Sequence, residues 1–146
     1  AGGREATTRA IELALARDGR AGRYALQAAI AGVHAEAASV ETTGWPALLR
    51  LYDRLVEEWP TPVVRLNRAV AVSYVEGPEA ALTALEDVSG DPSLREYAYL
   101  PAVQARLLAD VGRREEAAEA YRRAIAVAGD DGQRRLLKSR LDALRP

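Results

Sequence analysis

Apolar residues recur along this chain at helical spacing with no sustained alternation of period two, a pattern that predicts an all-α protein. The breaks fall at glycine and proline. A first helical segment runs from 4 to 17 and stops at "RDGRAG", where Asp18 and Gly19 interrupt it. A second runs from 22 to 38, with Leu26, Ile30, Val33 and Ala37 as its buried stripe. In "VETTGWP", Thr43 or Gly44 serves as N-cap for a third helix, with Pro46 in the first turn, where its missing N–H does no harm. That helix extends to Trp59, and "PTP" at 60–62 separates it from a fourth, which reaches Glu76 and is stopped by Gly77. Pro78 starts a shorter helix to Val88; "SGDPS" then supplies Asp91 or Ser93 as cap for a long helix over 93–111, kinked at Pro101 and ended by Gly112. "RREEAAEAYRRAIAV" forms a helix with acids in its first turn, which suits the macrodipole. After "AGDDG" a last helix covers 132–144, for about eight helices in all.

These helices repeat in pairs. Writing the second over the fourth, at an offset of 40 residues, places Leu26, Gln27, Ala29, Ile30, Ala31 and His34 on Leu66, Asn67, Ala69, Val70, Ala71 and Tyr74. The partner helices align likewise, Tyr52 on Leu85 on Tyr121 and Leu55 on Val88 on Ala124, at spacings of 33 and 36. In the last pair Ala105, Gly112, Ala117, Tyr121 and Ala124 resemble the tetratricopeptide pattern, in which small residues let paired helices approach and an aromatic fills the gap to the next unit. Gly129 stands where that pattern has its closing proline. The expected architecture is a right-handed superhelix of antiparallel helix hairpins in a single domain, 1–146. A half repeat at 1–20, with Ala6, Ala10 and Leu13 facing inward, precedes repeats at 21–60, 61–90 and 91–129. A capping helix at 131–146 hides Leu136, Leu137, Leu141 and Leu144 beneath Arg134, Arg135, Lys138 and Arg140.

Charge and composition exclude several functions. With 20 Lys and Arg against 21 Asp and Glu, the chain lacks the basic excess that drives binding to a phosphate backbone, so direct nucleic-acid binding is not expected. Nineteen of the 20 basic residues are arginine, Lys138 being the exception, which reads as the codon bias of a GC-rich genome rather than as chemistry. No apolar run reaches the roughly 20 residues of a membrane span, and the N-terminal stretch lacks a signal peptide's apolar segment. Absence of cysteine suits a reducing compartment, and the cytoplasm is the expected location. The chain opens without methionine and is in helical pattern by Arg4, which suggests a piece of a longer protein.

Catalysis finds little support. A zinc site needs about four ligands, usually His or Cys, and the chain offers one histidine, His34. No nucleotide-binding or nucleophile-elbow motif occurs, since "VEGPEAAL" lacks the lysine and hydroxyl of a phosphate loop. The acid pairs Glu57 with Glu58, Glu115 with Glu116 and Asp130 with Asp131 are sequence neighbours, about 100° apart on a helix, which fits capping and solvation better than a carboxylate dyad. No enzyme activity, metal or cofactor is expected.

Binding is the better expectation. The first helix of each tetratricopeptide pair lines the concave side, and carrying that position along the chain gives Tyr24, Gln27, Ala31 and His34, then Val64, Asn67, Ala71 and Tyr74, then Tyr99, Ala102, Arg106 and Ala109. Gln27 and Asn67 are suited to hold a peptide backbone, since an amide both donates and accepts. His34, on the shoulder of its helix, is a packed or hydrogen-bonded residue, a groove contact, or, as a third reading, a catalytic or metal-binding group.

Four strings, "GRYALQAAIAGVHAEA", "TGWPALLRLYDRLV", "TPVVRLNRAVAVSYVEGPEAAL" and "EEAAEAYRRAIAVAGDDGQRRLLKSRL", resemble in order the C-terminal extension of a group of bacterial extracytoplasmic-function (ECF) sigma factors, over nearly the whole chain. The departures are Arg23-Tyr24-Ala25-Leu26-Gln27 where that family has Pro-Tyr-Gln-Leu-Gln, and no histidine near Tyr99. In such proteins a promoter-reading half precedes the extension; this sequence contains none. The resemblance implies a regulatory protein-interaction domain that modulates sigma activity in transcription initiation. Its partners would be the protein's own sigma domains or the RNA polymerase core, gripped by a groove of Tyr24, Gln27, His34, Asn67, Arg68, Tyr74, Tyr99 and Arg106. Arg68 enters through the "LNRAVAV" string only, and a structural ion-pair partner is the other reading of it. A stand-alone adaptor that binds a peptide of another protein is the alternative.

Overall fold

The computed structural model describes the backbone at 2–16, 19–37 and 43–144, and the side chains at 8–16, 22–37 and 43–144. Among these residues it is all-α: α1 (Gly2–Ala16), α2 (Gly19–Glu36), α3 (Trp45–Glu58), α4 (Pro62–Val75), α5 (Pro78–Leu85), α6 (Tyr99–Asp110), α7 (Arg114–Val127) and α8 (Asp131–Ala143), with a 3-10 turn at Pro92–Leu94 between α5 and α6. Consecutive helices pack as hairpins, α1 on α2, α2 on α3, α5 on α6, α6 on α7 and α7 on α8. The chain divides into two compact units, 1–71 and 72–146.

The first unit closes around Leu26, Ile30 and Val33 of α2, Leu48, Leu51, Tyr52 and Leu55 of α3, Ile11 and Ala14 of α1, and Val64 and Ala71 of α4. Leu26, Leu48 and Leu51 are fully enclosed, each contributing about 1.5–3 kcal/mol by leaving water. On α1 the inward stripe is Ile11 and Ala14, whereas Leu13 is 53% exposed and Ala10 is exposed. The expected register of α1 is therefore corrected by one residue, because the larger Ile11 takes the buried place; the side chain of Ala6 lies outside the described residues. Val64 and Ala71, placed in the groove row by analogy, are buried and serve the core.

The second unit is built on small residues. Ala105, Ala117, Ala120 and Ala124 have no exposure, and Tyr121 and Leu137 fill the space that they leave between α6, α7 and α8. Alanine at these four positions lets helix axes approach closely, and the gain is dispersion contact rather than side-chain volume. The superposed partner-helix positions, Tyr52, Leu85 and Tyr121 with Leu55, Val88 and Ala124, are all buried. Leu136 is corrected: it points out, 53% exposed, while Leu137 is buried and Leu141 and Leu144 are partly covered. Adjacent leucines lie about 100° apart on a helix, so α8 cannot bury both against one neighbour.

Several boundaries follow from local chemistry. Thr61 Oγ1 accepts the Val64 N–H at 3.2 Å and starts α4. Gly77 at φ 98° and Gly112 at φ 85° turn the chain in the left-handed region, where a side chain would be strained. The expected kinked helix over 93–111 is corrected. Asp91 caps only the 3-10 turn, its Oδ1 accepting from Ser93 N at 2.8 Å, and α6 starts at Tyr99. Pro101 thus falls in the first turn of α6, where its missing N–H has no helical acceptor to disappoint and no kink is required. At α8 the N-cap Asp130 accepts from Gln133 N at 2.7 Å, while Gln133 Oε1 accepts from Gly129 N at 3.0 Å. This reciprocal arrangement, close to a capping box, accounts for the missing closing proline, which would have no N–H to donate to Gln133.

Candidate functional site

In the first unit α2 presents Tyr24, 57% exposed, with Gln27 and His34 also exposed on it. His34 lies in the last turn of α2. Its ring meets Trp45 edge-on, centroids 6.1 Å apart at 81°. The imidazole is thus an aromatic contact between the end of α2 and the start of α3. Nearby, the Arg23 guanidinium lies 4.8 Å from the centroid of Trp59, a cation–π contact at a partly exposed site. On α4 Asn67 is half-buried. Arg68 is held by an ion pair across to α3, its Nε donating to Asp53 Oδ1 at 2.5 Å. Among the described residues no group of three or more His, Cys, Asp or Glu side chains could hold a metal ion.

The second unit gathers the remaining residues. Tyr74, in the last turn of α4, and Arg106, mid-way along α6, meet directly: Arg106 Nη1 donates to Tyr74 Oη at 2.7 Å and Nη2 to Ser73 Oγ at 3.1 Å. The guanidinium carbon lies 5.1 Å from the Tyr74 ring centroid. Tyr99 stands in the first turn of α6 and packs on Tyr97, ring centroids 5.9 Å apart at 55°. Burial pushes the Tyr99 phenol above its ordinary value, and the Arg106 charge pulls the other way; Tyr97 and Tyr74 add to the upward push. Tyr74, Tyr97 and Tyr99 are each 38–41% exposed. The half-buried Arg106 has hydroxyl partners and, among the described residues, no carboxylate within ion-pair distance. Its Nε is enclosed without an acceptor.

This is a surface with three aromatic side chains and one cation, close together and part-open to solvent. It can stack on an apolar or planar group and donate to an anion. Of the residues expected in the groove, the structure brings together Tyr74, Tyr99 and Arg106, while Tyr24, Gln27, His34, Asn67 and Arg68 belong to the first unit. Tyr97 was missed because it precedes α6 and a helix-by-helix register skips loop residues. The "YAY" of Tyr97, Ala98 and Tyr99 was the available signal.

No protein-family model matches the chain. It is 44% identical over 128 residues to an uncharacterized protein of Rhizobium meliloti (strain 1021), a match that covers 88% of this chain and 30% of the relative. The chain thus spans about 30% of that relative's length. No helix among the described residues is long and apolar enough to cross a membrane.

Proposed function

We propose that the chain is a regulatory, protein-binding extension of an ECF sigma factor, acting in the cytoplasm by contact with the sigma domains or the RNA polymerase core. Binding, not catalysis, is its activity. The observation that carries the reading is the cluster of part-exposed tyrosines around Arg106 on α4 and α6, since Tyr and Arg supply most of the energy at protein interfaces. Family resemblance in the four strings supports the sigma assignment. The length of the Rhizobium relative, of which this chain spans 30%, leaves room for further domains in a protein of that kind.

The test is co-purification of the 146-residue chain with the promoter-reading half of its parent protein as a separate polypeptide, with and without core polymerase. Capture by either is expected. Capture by neither overturns the sigma reading and leaves an adaptor for a third protein.

A further inference from the structure

Among the described residues the cation at the centre of the tyrosine cluster makes no ion pair. A guanidinium carries five N–H donors; two are taken by the Tyr74 and Ser73 hydroxyls, which hold the group in place without neutralising it. Nε–H is enclosed with no acceptor. The enclosed Nε–H is out of reach of any ligand, so the two remaining Nη N–H groups are the donors an occupant can meet, and a carboxylate suits them best, because a charged acceptor with two oxygens can take one N–H on each. The surroundings narrow the choice. Tyr97 and Tyr99 pack ring on ring, the Tyr99 phenol feels the Arg106 charge and the Tyr74 ring lies against the guanidinium, so the occupant brings apolar surface beside its charge. We propose that Arg106 receives an aspartate or glutamate side chain of the partner protein, with a neighbouring apolar residue of the same segment lying against Tyr97 and Tyr99. This specifies the chemistry of the binding surface in the proposed function and rests on that reading for the partner's identity. Ser73 and Tyr74 are positioning residues: their hydroxyls aim the guanidinium.

The test uses the whole chain and two blocked peptides, acetylated and amidated so that no terminal charge competes, one with a central Glu-Leu-Glu and the other with Gln-Leu-Gln. Nitrogen-resolved NMR of the arginine Nε–H signals reads the site directly. The Glu peptide is expected to move the Arg106 signal, with the Gln peptide weaker by roughly tenfold or more, the worth of a hydrogen bond to a charged group. Equal binding of both peptides, or no movement of Arg106 by either, overturns the proposal. Arg106→Gln should abolish the preference for Glu, and Tyr97→Ala, a change at an exposed residue before α6, should weaken the Glu peptide while the fold is kept. Full retention in both variants counts against the site. The two readings fail separately. Peptide preference without capture of the sigma half or polymerase removes the sigma assignment and leaves the carboxylate site; capture undiminished by Arg106→Gln does the reverse.

Discussion

Tyr121 shows what a single side chain carries in this protein. It is buried between α7 and α8 among Ala117, Ala120, Ala124 and Leu137. Burial pushes its phenol above the ordinary 10.0; Arg140 pulls it down, Asp110 pushes it up and Arg106 pulls it down again. Tyr99 is raised for the same leading reason. An acid whose folded value is raised keeps its full stability contribution below the unfolded value, and loses it as pH rises through the folded one. Stability should therefore fall above about pH 10. Melts of Tyr121→Phe followed from pH 8 to 11 should decline less steeply than wild type, and an identical slope would show that this phenol does not titrate with unfolding. At this scale the sequence was readable where a residue type has one job: Tyr121 and Ala124 were placed inside, and are. For Arg68 an ion pair and for His34 a packed place stand among the readings of the sequence, but their partners do not, because which of several neighbours takes a polar side chain depends on atoms from another helix. Asp53 and Trp45, both on α3, decided it.

Among the helices, α8 illustrates how ends are set. Asp130 caps it through Gln133 N, and Gln133 returns a bond to Gly129 N. Asp130→Ala should lower stability by about 1 kcal/mol, the usual worth of an N-cap, read as an earlier midpoint in urea with unchanged slope. A midpoint that does not move would mean that solvent satisfies Gln133 N as well as the carboxylate does. Helix existence was legible throughout, since an amphipathic stripe needs only the 3.6 period. Ends were less so: the helix from Pro78 stops at Leu85 rather than Val88, and α6 begins six residues after Ser93. Both differences lie in the segment where turns and a 3-10 piece satisfy the backbone almost as well as α-helix does. Buried Val88 and Leu94 show that packing chose among these near-equal options.

For the molecule taken together, the balance of 20 basic against 21 acidic residues carries a prediction of its own. Without a basic excess there is little counterion release to gain. The chain alone should leave a promoter duplex unretarded at physiological salt up to about 10 µM, below the weaker end of ordinary non-specific affinities. Retardation there would reverse the reading of the charge. In the proposed assembly any promoter contact would then be made by other domains.

What the sequence determined by itself is the all-α hairpin architecture and most of the buried stripe, because hydrophobic periodicity and glycine or proline breaks are local properties of the chain. Tertiary structure alone decided which apolar neighbour turns inward, as with Ile11 over Leu13 and Leu137 over Leu136, and which expected groove positions are core, as with Val64 and Ala71. It also decided that Tyr97 joins Tyr74, Tyr99 and Arg106 in one cluster. These outcomes depend on contacts between residues far apart in the chain, 32 positions for Tyr74 and Arg106 and 33 for Ser73 and Arg106, and local spacing does not encode distances of that kind.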